Sequence, residues 1–401
     1  MDALWFYAIG FVLIWVLALL FKDKLKIDVS GPLLMRKTTR LRDLIDSIAQ
    51  KSPKFWRWSM NIGIVICVFF MILTFALLVY SLGTTIQSMF IIHGTSTQAT
   101  GVYPVIPGVA IPGSPFTPPL VDGLIAIVII IVFHEFAHGI LARAEGIKIK
   151  SIGLLMFAII PGAFVEPDEE GIQKSSRLTK LRIYAAGSMS NLVVAAVALL
   201  FLLLLTSFFI SPYFHASGVE IQNIVSKSPA DGVLQNGMLI TNINGYKITN
   251  YTSFNNTLSK FKPGDVITVT TNHGTFKIKT SVNPNNSSRA YIGINVAELG
   301  LMTSNSLTLN QDISNKYGNI LPWFLYDLYV LLFWIFFYNV GIGTFNLLPL
   351  KPLDGGLMFE ELLNYVTSSD LANKLTNVVS VISVVLVVSS LSLAIIPALL
   401  H

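Results

Sequence analysis

The sequence predicts a polytopic α-helical membrane protein of about six spanning helices with one inserted α+β domain. Of its 401 residues, 53% are hydrophobic and only 12% are charged, and the mean hydropathy is +0.66. Apolar runs long enough to cross a bilayer core of about 30 Å recur along the chain. Residues 216–297 are instead polar and rich in Gly, Asn, Ser and Thr. These observations exclude an ordinary soluble globule.

Each spanning helix needs about 20 apolar residues. Runs of that quality occur at residues 3–21, 59–82, 120–142, 183–211, 322–348 and 376–398. The first run begins at Met1-Asp2 without the basic segment or cleavage site of a signal peptide, so we expect it to be a retained anchor.

The charged residues predict how these spans are oriented. Residues 22–57 carry ten Lys or Arg against four acidic residues, so we expect this loop to be cytosolic. Residues 83–119 have six prolines and no acidic or basic residue, which suits an external loop. With six spans, both chain ends lie outside. The net charge of the chain is +5. Its Lys and Arg residues lie beside apolar runs, as expected of a membrane protein, and so do not indicate a nucleic-acid partner.

The segments between the spans give a domain plan. We expect two accessory helices in 1–119, the first half of a core in 120–215 and the second half in 322–360. The polar domain 216–297 and a linker 298–321 separate the two halves, and 361–401 holds a cytosolic segment and the last span. Within the first half, residues 147–167 are apolar but broken by Gly and Pro, which predicts a segment that enters the membrane and returns on the same side.

Two histidines and a glutamate lie in one apolar run, IVIIIVFHEFAHGILARA. His134 and His138 are four residues apart, so on a helix both imidazoles lie on one face and can bind one ion. Beside them, the Glu135 carboxylate can take a proton from water that a metal activates. Ionisable residues in a span cost about 2.5–3.5 kcal/mol each on insertion scales, which indicates that these three have a function. We predict one Zn²⁺ per chain.

A catalytic zinc ion needs a third protein ligand and an open position. The other four histidines lie in loops, in the inserted domain or at the chain end, and the single cysteine, Cys67, lies in another apolar run. Asp354 follows a span in FNLLPLKPLDGG, where prolines end the helix and glycines permit unusual dihedrals. Alone, Asp-Gly-Gly indicates a turn; with the histidine pair, Asp354 is the best candidate. Both spans run towards the cytosol, which predicts a site in the cytosolic half.

The motif HExxH at 134–138, together with NLLPLKPLDG at 346–355, resembles the site-2 protease family of intramembrane zinc metalloproteases. The resemblance covers roughly 120–211 and 322–360, and it implies that Asp354 is the third zinc ligand. A further family feature, Gly-x-x-x-Asn, occurs at 187–191, with Ser188 where the family often has Pro. Asn191 would then contact the substrate carbonyl or support the zinc site. The same spacing is also an ordinary helix-packing pattern.

The polar domain 216–297 resembles a PDZ domain of the protease-associated type, although a β-rich spacer is the alternative. PDZ domains bind extended peptide ends by adding a strand to a sheet edge, which implies docking or filtering of substrates. By topology the domain is extracytosolic, and we expect a prokaryotic cell membrane. The implied activity is cleavage within the transmembrane segment of single-span proteins that a first protease has already cut.

Two other functions are compatible with the same sequence. A non-catalytic membrane chaperone or assembly factor would keep the fold and dock its clients through the PDZ-like domain. A divalent-metal transporter would use His134, His138 and Asp354 as a transit site. The transporter has no evident use for Glu135 or for a peptide-binding domain.

Overall fold

A computed structural model gives the fold and describes residues 3–39, 41–91, 104–109, 117–157, 160–283, 286–297 and 307–400. The helices are α1 (Ala3–Leu20), α2 (Lys22–Leu25), α3 (Arg42–Lys51), α4 (Pro53–Ile91), α5 (Leu120–Ala144), α6 (Glu169–Lys174), α7 (Arg177–Leu205), α8 (Ser211–Tyr213), α9 (Tyr251–Leu258), α10 (Gln311–Tyr317), α11 (Ile320–Phe345), α12 (Asp354–Leu363) and α13 (Ser369–Leu400). The strands are β1 (Ile27–Ser30), β2 (Leu33–Thr38), β3 (Ile149–Phe157), β4 (Ile160–Pro167), β5 (Phe214–Ala216), β6 (Val219–Ile224), β7 (Leu239–Ile243), β8 (Tyr246–Lys247), β9 (Val266–Thr271), β10 (Gly274–Lys279), β11 (Ser281–Asn283), β12 (Asn286–Tyr291), β13 (Ile294–Ala297) and β14 (Leu307–Leu309). One π-helical turn, Thr206–Ile210, joins α7 to α8.

Five of the described helices are long and apolar enough to cross a membrane. They are α4, α5, α7 with its continuation to Tyr213, α11 and α13. These five match five of the predicted spans and show an integral membrane protein. The first apolar run forms α1, which is shorter, so the total of six spans stays a prediction.

The structure differs from the domain plan in two segments. Helix α4 continues to Ile91, nine residues into the segment predicted as the external loop 83–119, because no proline occurs there before Pro104 to end the helix. The predicted linker 298–321 contains β14, α10 and the start of α11. Residues 92–103, 110–116 and 298–306 of these two segments lie outside the described residues.

The chain forms two compact units. The first comprises Met1–Gly113, Thr117–Leu199 and Leu331–His401, and the second comprises Ser114–Phe116 and Leu200–Val330. The candidate residues of the sequence analysis all belong to the first unit. The predicted PDZ-like domain belongs to the second.

A four-stranded antiparallel sheet in the order β1-β2-β3-β4 belongs to the first unit. Its strands β3 and β4 are the segment predicted to enter the membrane and return, and Ile152 pairs with Val165 across them. Ile45 of α3, Ile152 and Val165 are buried together against Phe136 and Ile140 of α5. The sheet therefore packs on the helix that carries both candidate histidines. Its depth in a bilayer stays a prediction.

The apolar core of the first unit joins α4, α5, α7 and α12. Cys67, Leu141, Ala185, Leu347 and Met358 are all buried within it. Small residues on α7 allow the helices to approach closely, as in other membrane bundles. This core brings the beginning of α12 next to the middle of α5 and α7.

A buried carboxylate fixes the polar ends of three helices. Glu145, at the end of α5, binds Arg182 of α7 at 2.8 Å and Arg57 of α4 at 3.6 Å. Arg57 also donates a hydrogen bond to the Ala144 carbonyl, one of the last carbonyls of α5, which have no partner within the helix. Only 7% of the Glu145 side chain is exposed, so both cations compensate a desolvated charge.

Replacing Glu145 with Gln should reduce the free energy of unfolding by about 3 kcal/mol, because it leaves buried Arg182 without its counterion. Thermal unfolding in detergent measures this loss. Asp370→Asn is the control: its i,i+4 pair with Lys374 is largely exposed and contributes less than about 0.5 kcal/mol. Equal unfolding temperatures for the two variants would contradict the role given to Glu145.

The second unit contains the predicted α+β domain. Its larger sheet has the order β10-β9-β7-β6-β13, and β8 pairs with β7. Ile221, Ile240, Ile267 and Phe254 of α9 form its buried core. Helix α9 begins with a capping box in which Asn250 and Ser253 exchange hydrogen bonds. The domain therefore has its own hydrophobic core.

Candidate metal centre

Helix α5 places the two histidines on one face, one turn apart. The ring centroids of His134 and His138 are 4.8 Å apart, and their Nε2 atoms are separated by 3.2 Å. Both side chains are mostly buried, at 12% and 16% exposure. The spacing of four residues thus directs two imidazole nitrogens to one point.

Asp354 reaches the same point from α12. The chain turns tightly before it, and the Gly355 N–H donates a 2.8 Å hydrogen bond to the Asn346 carbonyl. A Cβ on Gly355 would lie 2.2 Å from the Leu347 carbonyl oxygen, so the turn requires glycine. Asp354 Oδ1 lies 3.4 Å from His138 Nε2, and Oδ2 lies 3.4 Å from His134 Nε2.

These separations bring three ligand groups close enough together to hold one metal ion. Ligand atoms about 2.0–2.1 Å from zinc lie about 3.3–3.4 Å apart when they are arranged tetrahedrally. The two Nε2 atoms are 3.2 Å apart, near this value, while the two 3.4 Å distances end on different oxygens of Asp354. One ligand atom from each residue lies within 4.8 Å of the other two. Two imidazoles and one carboxylate form a donor set typical of catalytic zinc. The structure therefore brings together all three sequence-predicted ligands.

Helix α7 lies against both histidines at Gly187. A Cβ at this position would lie 2.3 Å from His138 Nε2 and 2.5 Å from His134 Nε2. His138 Nδ1 donates to the Ile183 carbonyl at 2.8 Å, which leaves Nε2 free to bind a metal. Asn191 Nδ2 lies 3.2 Å from His134 Nδ1, and its buried Oδ1 has no hydrogen-bond partner among the described residues.

The Glu135 carboxylate contacts β4. Its Oε2 accepts a 3.0 Å hydrogen bond from the Val165 N–H. This N–H lies on the edge of β4 that pairs with no other described strand. The next residue, Glu166, accepts hydrogen bonds from Ser151 and Lys37, and these bonds hold the pKa of its carboxyl below the usual range.

Sequence reasoning missed one polar contact of the site. Ser188 Oγ donates a 3.1 Å hydrogen bond to Asp354 Oδ2. A signal was present, because the serine lies inside the Gly-x-x-x-Asn pattern of 187–191. Its partner lies 166 residues further along the chain, which local patterns do not reveal.

The fold and the site define an integral membrane protein with two histidines and an aspartate placed to hold one metal ion. The chain belongs to peptidase family M50, which matches residues 122–390. The predicted site-2 protease membership is therefore confirmed, and M50 peptidases are zinc metalloproteases.

Two individual proteins are similar in sequence to this chain. An uncharacterized protein of Methanocaldococcus jannaschii is 27% identical over 347 residues, which cover 86% of this chain and 81% of that protein. The membrane-bound transcription factor site-2 protease homolog of Arabidopsis thaliana is 32% identical over 126 residues, which cover 31% of this chain and 24% of that protein.

Two solved PDZ domains are similar to one fifth of the chain. The PDZ domain of the SdrC-like protein from Listeria monocytogenes is 26% identical, with a TM-score of 0.19, and the match covers 20% of this chain and 90% of that domain. The corresponding domain from Listeria innocua is 27% identical, with a TM-score of 0.18, and the match covers 20% and 92%.

Proposed function

We propose that the protein is an intramembrane zinc endopeptidase that hydrolyses peptide bonds within the transmembrane segments of single-span proteins. One Zn²⁺ per chain is held by His134, His138 and Asp354. The observation that carries the proposal is the convergence of these three side chains: His134 and His138 Nε2 are 3.2 Å apart, and each lies 3.4 Å from one carboxylate oxygen of Asp354. Two imidazoles and a carboxylate are a donor set typical of catalytic zinc.

Zinc supplies Lewis-acid chemistry at such a site, because it activates water and polarises a carbonyl group. Glu135 acts as the general base: its carboxylate takes the proton of the attacking water and transfers it to the leaving amine. For His134 to bind through Nε2, its proton must lie on Nδ1, which the Asn191 amide nitrogen faces at 3.2 Å. A 180° turn of the Asn191 amide exchanges Nδ2 with Oδ1, so that the amide oxygen accepts this proton. The Asn191 amide nitrogen is then available to donate to the substrate carbonyl oxygen.

Strand β4 gives the substrate a place to bind in extended form. A helical carbonyl group is already hydrogen-bonded, so a transmembrane substrate must unwind before it can be cut. The edge of β4 that pairs with no described strand carries the Val165 N–H beside Glu135. A substrate strand that pairs with this edge passes the general base, as in other cases of recognition by strand addition.

Charge supports a site in the cytosolic half of the membrane. Arg143 lies five residues, about 7–8 Å, beyond His138 on α5, and α7 begins at Arg177. Basic residues mark the cytosolic ends of spans, so we place these two helix ends in the cytosol. The membrane we propose is that of a prokaryotic cell. The insertion after α7 is then extracytosolic.

The inserted domain is proposed to bind peptide ends and to filter substrates that a first cut has shortened. Strand β13 lies at one end of the described strand order, so its outer edge is a place where an extended peptide can add. The partners are thus membrane-embedded single-span proteins in a lipid bilayer, and nucleic acid has no role.

Reconstitution tests the proposal. Purified protein should contain one zinc ion per chain and cut a single-span substrate in vesicles. A strong chelator should stop cleavage, added zinc should restore it, and Asp354→Ala should bind little zinc. Zinc binding without cleavage of any membrane substrate would favour the chaperone alternative, and zinc uptake into vesicles would favour the transporter.

A further inference from the structure

We infer that Ser188 is a positioning residue of the metal centre: its hydroxyl group holds one carboxylate oxygen of Asp354 and leaves the other to bind the ion. The inference rests on the proposed function, because Asp354 must be a ligand for it to matter. The sequence motifs give no role to Ser188.

The hydrogen bond between Ser188 and Asp354 is buried and involves a charged group. Ser188 is fully buried, and its Oγ lies 3.1 Å from Asp354 Oδ2. A hydroxyl hydrogen bond to a buried carboxylate is stronger than one between neutral groups. Because the Ser188 hydroxyl occupies one lone pair of Oδ2, we assign Oδ1, which lies 3.4 Å from His138 Nε2, as the oxygen that binds the ion. An aspartate that binds through one oxygen keeps the fourth zinc position open for chemistry.

Helix α7 supports all three candidate ligands in the same way. The Ile183 carbonyl accepts from His138, Asn191 contacts His134, and Ser188 donates to Asp354. These three residues fall within about two turns of one helix. Outer hydrogen bonds of this kind fix the orientation of metal ligands, and losing one typically weakens metal binding about 10–100-fold.

A second contact holds α12 on α7 independently of Ser188. Lys180 and Glu361 form a mostly buried ion pair at 3.1 Å, with side chains 13% and 11% exposed. Glu361 lies about two turns beyond Asp354 on α12, and Lys180 about two turns before Ser188 on α7. Loss of the Ser188 hydroxyl should therefore change the orientation of the Asp354 carboxylate, while α12 stays packed on α7.

The test compares Ser188→Ala with Ser383→Ala. Ser383 is also fully buried in a spanning helix, but its hydroxyl binds the Val379 carbonyl of its own helix. Three measurements are made on the full-length protein: zinc affinity by chelator competition, the visible absorption of the cobalt-substituted protein, and the unfolding temperature with chelator present.

We expect Ser188→Ala to bind zinc about 10-fold more weakly than Ser383→Ala. Its cobalt absorption should weaken, because a carboxylate that binds through both oxygens raises the coordination number, while the two variants unfold at similar temperatures in chelator. Equal zinc affinity and equal cobalt spectra in the two variants would overturn the inference.

Two further comparisons keep the test decisive. If Ser188→Ala does not fold, Ser188→Thr and Ser188→Val replace it, since these side chains have the same shape and differ by the hydroxyl group. The threonine variant should bind zinc about 10-fold more tightly than the valine variant, and equal affinities would overturn the inference. If His134→Ala binds zinc as tightly as the wild type, the proposed ligand set fails as well.

Discussion

Replacing Glu135 with Gln should reduce the cleavage rate by about 10²–10⁴-fold while one zinc ion per chain stays bound. Glutamine has the shape of glutamate, and its carbonyl oxygen can still accept the Val165 hydrogen bond that links α5 to β4. It cannot take a proton from water. The rate of substrate cleavage in vesicles and the zinc content of the same sample measure the two effects.

The matched control is Glu170→Gln, which makes the same chemical change on α6. Glu170 forms an exposed i,i+4 pair with Lys174, so cleavage should stay within about twofold of the wild type. Cleavage by Glu135→Gln at the wild-type rate would remove Glu135 from the role of general base.

Replacing Gly187 with Ala should weaken zinc binding by about 100-fold or more and abolish cleavage with it. The added Cβ would lie 2.3 Å from His138 Nε2 and 2.5 Å from His134 Nε2, so at least one ring must move. A displaced ring no longer directs its Nε2 atom to the point where the three ligand groups meet. Zinc affinity measured by chelator competition reports this change directly.

Gly341→Ala provides the control, because Gly341 also lies in a spanning helix but a Cβ there would meet no atom of the described residues within 4 Å. Zinc affinity should stay within about twofold, and stability should rise by about 0.4–1 kcal/mol through the reduced entropy of the unfolded chain. If Gly187→Ala and Gly341→Ala bind zinc with equal affinity, α7 does not approach the histidines as closely as described.

The convergence of His134, His138 and Asp354 was predictable because two independent constraints agree. Helical periodicity stacks the two histidines, and the orientation of two spans brings Asp354 to the same side of the membrane. The structure brings these ligand atoms within 4.8 Å of one another. Their role as zinc ligands stays a prediction until metal binding is measured.

The sheet of the first unit was not predictable from local patterns. Strands β1 and β2 lie in the basic loop 22–57, where the charges report the side of the membrane and carry no information on pairing. Strand β2 pairs with β3 more than a hundred residues later, with Leu33 opposite Phe157. The apolar residues of 147–167 fit a membrane-entering segment and a buried hairpin equally well.

The position of the cut in a substrate tests the central claim most directly. A single-span protein reconstituted in vesicles with the wild-type enzyme and zinc should yield two fragments whose masses place the cleaved bond inside the apolar spanning segment. Neither fragment should form with Glu135→Gln or with chelator. A cleaved bond outside the span, or the same fragments from Glu135→Gln, would contradict intramembrane zinc proteolysis at this site.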